Sequence, residues 1–192
     1  DGNDLFVTHL LSNALTIVHL QRHVLYLPLV LRTSSASFYV SVSGAGRAGA
    51  MGRVRFVTET LALWPDSNLV QSVIPAPDGT HAYVPHTRSN SVNPSNPALT
   101  FDTTVFPLVS VVDMTLPRHQ VGQQFDLGTL DPPGVGLPFD ASVTPDGELW
   151  VVNAASNDLS VLDLAARRLA AHVEVGHNSR GIVLLPYGGE AY

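Results

Sequence analysis

One short pattern is written three times along this chain. It is an Asp-Gly turn, then an aromatic-containing apolar triplet, then a Ser-Asn pair that begins six residues after the aromatic. The first copy holds Asp1-Gly2, Leu5-Phe6-Val7, Ser12-Asn13 and Leu15-Thr16-Ile17-Val18. The second holds Pro77-Asp78-Gly79, Ala82-Tyr83-Val84 and Ser89-Asn90. The third holds Pro145-Asp146-Gly147, Leu149-Trp150-Val151, Ser156-Asn157 and Leu159-Ser160-Val161-Leu162-Asp163. A fourth starts at Pro186 and runs to Tyr192. Such self-similarity decides the architecture, because each copy is a supersecondary unit that buries its apolar side only against its neighbours.

The clearest unit, residues 138–175, reads as four short strands. Residues 139–144 come first, and Pro145-Asp146-Gly147 turns the chain, glycine supplying positive φ and aspartate bonding its own backbone. Residues 149–153 are β-rich, and a turn at Ser156-Asn157 follows. Residues 159–164 alternate, with Leu159, Val161 and Asp163 on one face, and residues 169–175 alternate again through Leu169, Ala171, Val173 and Val175. Four antiparallel strands in a period of 41 residues, from Pro145 to Pro186, are the pattern of a propeller blade. No window carries a sustained helical stripe.

The spacing of 68 from Pro77 to Pro145 is too long for one blade and too short for two. The excess falls in an Asn/Pro/Thr-rich stretch before a strand expected at 109–113 and in a Gly/Pro-rich loop at 128–138. Asp1 to Asp78 spans 77, close to two blades, with Phe38-Tyr39-Val40 as the aromatic strand of the one between. The expectation is an all-β propeller of four-stranded antiparallel blades, about four covered: 1–32, a degenerate 33–67, 68–137 with an insertion at 91–108, 138–178, and the start of another at 179–192.

A chain of 192 residues with 45% hydrophobic and 14% charged content folds around a substantial core. The net charge of −6 argues against nucleic acid, which needs a basic face for phosphate neutralisation. The absence of cysteine removes disulfides, thiolate metal sites and covalent haem attachment from these residues, so no cofactor is expected in the chain itself. No run reaches the eighteen apolar residues of a spanning helix. The longest, 24–31, is broken by Pro28 and reads as a buried strand. The chain opens on a repeat without an initiator Met or signal peptide, as a fragment or processed chain would.

Phe6-Val7-Thr8-His9, Tyr83-Val84-Pro85-His86 and Trp150-Val151-Val152-Asn153 stand where the Tyr-Val-Thr-Asn signature would. With Asp-Gly before and Ser-Asn after, the chain resembles the YVTN family of β-propeller repeats over residues 1–18 and 68–192. His9 and His86 depart from the family's Asn, and Pro85 interrupts the second copy. The resemblance implies part of a seven-bladed ring and a periplasmic or extracellular, cell-surface location. It also implies a scaffold that binds a protein partner or supports an attached redox domain, where haem would reside, with association to a membrane or surface complex. The rival is an enzyme working at the central funnel, either a haem peroxidase- or oxidase-like assembly or a lactonase-like hydrolase.

The innermost strands are expected at 70–76, 139–144 and 180–185. Their entrances would expose Gln71, Asp140 and Arg180, with His177 and Asn178 in the loop before the last. These five are the candidate ligand or partner residues, since propeller ligands gather at such a mouth. Asp140 with His177 and Arg180 could serve as base and anion clamp, or the same groups could join adjacent blades. His9 and His86 are expected on second strands in polar loop or capping roles. His19 and His23 have a helical metal-ligand spacing in a region that reads as strand. Asn90, Asn93, Asn96 and Asp102 are oxygen donors that calcium could use, although Asx-Pro turns account for the asparagines. Asp113 and Asp163 recur at the end of the third strand and read as turn caps. No nucleophile elbow, His-Glu-x-x-His or phosphate loop is present.

Overall fold

A computed structural model describes residues 4–9, 14–20, 39–40, 54–90, 100–116, 118–129, 135–185 and 190–192. Expectations for Ser12-Asn13, His23, residues 24–31, Asn93, Asn96 and Pro186 lie outside them.

The strands are β1 (Asp4–Thr8), β2 (Ala14–Leu20), β3 (Tyr39–Val40), β4 (Val54–Ala62), β5 (Ser67–Asn68), β6 (Ile74–Pro75) and β7 (His81–Ser89). After a helical turn, α1 (Phe101–Thr104), come β8 (Val105–Asp113), β9 (Arg118–His119), β10 (Phe125–Asp126), β11 (Pro138–Val143), β12 (Glu148–Asn153), β13 (Asp158–Asp163) and β14 (Arg168–Glu174). They form three antiparallel sheets among the described residues. The first runs β1-β2-β4-β3 and the second β10-β8-β7-β5, with β6 on β7 and β9 on β8. The third runs β11-β12-β13-β14. That third sheet is the four-stranded up-and-down blade read from 138–175.

Two segments pair differently from the sequence reading. Val54–Ala62, inside the stretch read as a degenerate blade, pairs with β2 from Ala14↔Ala62 to Leu20↔Phe56 and so extends the first sheet. The strand expected at 109–113 begins at Val105 and pairs with β7 over its whole length, so the end of the 91–108 insertion is sheet. The turns follow the repeat. Gly79 and Gly147 take φ of 70° and 87°, where a Cβ would be strained, and each donates its N–H back to the residue three before it, Ala76 or Thr144. Asp113 and Asp163 cap their turns. Asp113 Oδ1 accepts from the Thr115 and Leu116 N–H groups at 2.9 and 3.2 Å, and Asp163 Oδ1 accepts from Ala166 N–H at 2.8 Å.

Strand alternation gives each sheet a forward and a rearward face. The forward face of the first sheet, with Phe6, Leu15 and Ile17, packs on Ala82, Val84 and Val112 at the rear of the second. The forward face of the second, with Tyr83, Val109, Val111, Phe125 and Leu127, packs on Leu149, Val151 and Leu162 at the rear of the third. The forward face of the third carries Trp150, Val152, Leu159 and Val161, with Ile182 laid against it. Apolar burial between successive sheets is thus the main stabilising term. Leu162→Ala, at a fully buried site, should lower unfolding free energy by about 2–5 kcal/mol in urea titration. Leu116→Ala, in an exposed turn, should change it by less than about 0.5 kcal/mol.

Candidate functional site

The inner segments of consecutive sheets lie side by side and are joined by side chains at one repeat position. Counted back from Pro77, Pro145 and Pro186, Ser72, Asp140 and Gly181 are equivalent. Ser72 Oγ donates to the Phe139 carbonyl at 3.2 Å, and Asp140 Oδ2 accepts from Ile182 N–H at 3.2 Å. Each side chain reaches forward to the main chain of the next segment. Of the three segments expected as inner strands, 139–144 is one in full, as β11. Residues 70–76 are reduced to β6, and 180–185 carry a single bridge, Leu184↔Ala191.

The other four candidate residues lie on or just before the inner segments. Gln71 offers its carbonyl to Thr8 Oγ1 at 3.2 Å. The Arg180 guanidinium lies 5.2 Å from the Phe139 ring centroid, and its Nε donates to Asn178 Oδ1 at 3.0 Å. Asn178, at φ 55°, is tied back to the third sheet by its N–H on Asn157 Oδ1 at 2.8 Å. His177 is exposed beside it. His177, Asn178 and Arg180 form a solvent-facing patch of mixed polarity. Among the described residues no group of three or more His, Cys, Asp or Glu is placed to hold a metal ion, and no helix is long and apolar enough to cross a membrane. Of the calcium candidates, Asn90 uses its amide to donate to the Thr103 carbonyl at 3.1 Å, closing the end of α1 onto β7.

His86 departs from its expected capping role. It stands inside β7 with no exposed surface. Its Nδ1 faces the Thr87 carbonyl at 3.4 Å, which can only accept, so Nδ1 carries the proton and Nε2 accepts from the Ser110 hydroxyl at 2.8 Å. The same position recurs in each sheet. His9 Nε2 lies 2.9 Å from Thr16 Oγ1, and Asn153 Nδ2 donates to Ser160 Oγ at 2.9 Å and to Asp158 Oδ1 at 2.6 Å. An imidazole or amide on the second strand is therefore paired with a hydroxyl on the third, on every rearward face. Desolvation lowers the His86 pKa to about 4, only partly offset by the Thr87 carbonyl.

Sequence reasoning did not single out the cluster beside His86. Arg88 Nε and Nη2 donate to both oxygens of Asp66 at 2.7 and 2.9 Å, and the guanidinium lies 4.2 Å from the Trp64 ring centroid. The His119 ring meets Trp64 edge-on at 5.5 Å, and burial lowers its pKa too. Its members come from the link after β4, from β7 and from β9. No local spacing announces it.

With the fold in view, the comparisons fall into place. No protein-family profile matches the chain, and no curated protein matches it by sequence. Among solved structures, hydrazine synthase from Kuenenia stuttgartiensis superposes with a TM-score of 0.59 at 15% identity, over 95% of this chain and 53% of that one. Apo AztD from Citrobacter koseri gives a TM-score of 0.43 at 12% identity, over 94% of this chain and 46% of that one. The chain has a β-propeller fold. It spans about half the length of the hydrazine synthase chain, itself a propeller-containing protein.

The histidine pair sets a pH dependence. The folded His86 pKa of about 4 lies below the unfolded value of 6.5, so between those limits the unfolded chain binds the extra proton. Stability is full above pH 6.5 and falls by up to about 3 kcal/mol as pH drops to 4, with a further loss in the same direction from His119. Urea midpoints across that range should show the slope, and His86→Asn, the residue the third sheet uses, should flatten most of it.

Proposed function

We propose that this chain is an extracytoplasmic scaffold of the YVTN repeat type, whose surface at Gln71, His177, Asn178 and Arg180 receives a protein partner or an attached redox domain. Haem, where present, belongs to that attached domain. One observation carries the reading. The carboxylate best placed to act as a base, Asp140, is engaged with the Ile182 main chain, while the exposed Arg180 lies over Phe139 and the Asn178 main chain is tied to Asn157. A pre-ordered polar rim suits recognition, because little side-chain entropy is lost when a partner arrives. The likeness to a hydrazine synthase chain agrees with a propeller working inside a larger assembly, and being a likeness of fold it brings no reaction with it.

Purification of the native protein from its cells tests this. A Soret band in the complex, lost when His177→Ala and Arg180→Ala are combined while the circular dichroism stays unchanged, is the expected result. Hydrolysis of a lactone panel by the isolated chain, abolished in Asp140→Asn, would replace the scaffold by the hydrolase.

A further inference from the structure

The described residues hold the Asp-Gly turn twice, and the two copies differ in what their aspartates touch. In Asp78-Gly79 and Asp146-Gly147 the glycine N–H donates to the residue three before it, to Ala76 at 2.9 Å and to Thr144 at 3.1 Å. Both glycines have positive φ, and nothing lies within 4 Å of where a Cβ would stand. Both aspartates are exposed. The turns differ in length by one residue. Ala76 N–H bonds to the His81 carbonyl, whereas Thr144 N–H bonds to the Glu148 carbonyl, so Thr80 is an extra residue in the second copy.

That residue fixes Asp78. Thr80 donates its N–H to Asp78 Oδ1 at 2.9 Å and its hydroxyl to Asp78 Oδ2 at 2.8 Å. The third copy has no counterpart. Glu148 follows Gly147 directly, and its N–H goes to Thr144 Oγ1 at 3.0 Å. Among the described residues no hydrogen bond or ion pair holds the Asp146 carboxylate.

An aspartate followed by glycine can be attacked by its own main chain. Glycine has no side chain to shield its nitrogen, and its freedom in φ lets that nitrogen approach the carboxyl carbon before it. The nitrogen bonds to the aspartate Cγ, and the carboxyl hydroxyl leaves with the amide proton as water, closing a succinimide ring. Water then opens the ring at either carbonyl. Opening at the main-chain carbonyl gives isoaspartate, in which the chain runs through the former side chain and a free α-carboxylate remains. Closure expels water only from the neutral carboxyl. We infer that Asp146 is a site of isoaspartate formation in the folded protein, and that Thr80 protects Asp78 from the same reaction.

The Thr80 tether acts twice. The Asp78 carboxyl must leave Thr80 before its carbon can meet the Gly79 nitrogen. The Thr80 N–H, then its hydroxyl, also hold the Asp78 pKa below the usual carboxylate value, so less of the neutral form is present. At Asp146 only the Gly147–Thr144 bond has to open, and its equivalent exists in both turns. The product lengthens the turn between β11 and β12, next to the strand that carries Phe139 and Asp140. Its α-carboxylate is the group that an isoaspartyl carboxyl methyltransferase modifies, so a repair enzyme of that class is the partner this site implies. The inference is independent of the scaffold reading.

Folded protein held for several weeks at physiological temperature and mildly acidic pH, then cut with trypsin, carries the two sites on separate peptides, 56–88 and 119–167. Methylation of these peptides by an isoaspartyl methyltransferase, localised by electron-transfer fragmentation, should show roughly tenfold more isoaspartate at 146 than at 78, since two further hydrogen bonds must break at 78. Asp146→Glu, whose longer side chain closes a ring far more slowly, should remove the signal at 146. Thr80→Val should raise the yield at 78 several-fold with unchanged circular dichroism. In urea, where both turns are released, the two sites should react alike. Equal yields at 78 and 146 in the folded protein, or none at 146 while the urea-unfolded chain forms it, would overturn the inference.

Discussion

The stack of sheets depends on closing a polar pair inside each of its two otherwise apolar contacts. His86 with Ser110 and Asn153 with Ser160 sit on rearward faces among side chains that must be dry for the sheets to pack, and His9 with Thr16 repeats the pair half-buried on the first sheet. A buried imidazole or amide without a partner costs more than its hydrogen bond returns, so the pair has to form. Its formation also fixes register. A slip of one residue between the second and third strands would turn the hydroxyl to the other face and bring the whole apolar set with it. From that register follow the identity of each face and the forward position of Phe6, Tyr83 and Trp150.

Much of this was legible in the sequence because repetition multiplies a weak signal. The third sheet follows the reading of 138–175 to within a residue or two, and Asp113 and Asp163 cap turns as their recurrence suggests. What failed to show was pairing set by distant segments. Nothing in residues 54–62 says that they join β2, across a stretch that fits no repeat. The apparent insertion hid four residues of β8 because Val105 and Phe106 continue a strand through Pro107, where the repeat template expects none. Propensity names a strand, while the partner is chosen by tertiary packing.

The candidate site was legible as a place and less so as chemistry. Counting back from each proline aligned Gln71, Phe139 and Arg180, with Asp140 one residue further, and so put them on successive inner segments. The role of Asp140 needed its counterpart Ser72. A hydroxyl and a carboxylate at one position, both reaching the next main chain, share joining rather than acid–base work. His86 was misread because a histidine in an alternating strand looks polar and peripheral, and only the third strand shows that it has a buried partner.

The same packing limits where reactions could occur. His86 is neutral at physiological pH and enclosed on all sides, and a general base must come within hydrogen-bond reach of the proton it takes. Arg88 lies beside it but already spends its charge on both oxygens of Asp66 and its face on Trp64. His86 with Ser110 and Asn153 with Ser160 are paired inside the stack, while Trp64 Nε1, Thr87 Oγ1, His119 Nε2 and Asn153 Oδ1 are buried without a hydrogen-bond partner among the described residues. The exposed polar groups of the rim around Arg180 lie outside the stack. In the scaffold proposed above, that rim would meet the partner and the packed sheets would hold it in place.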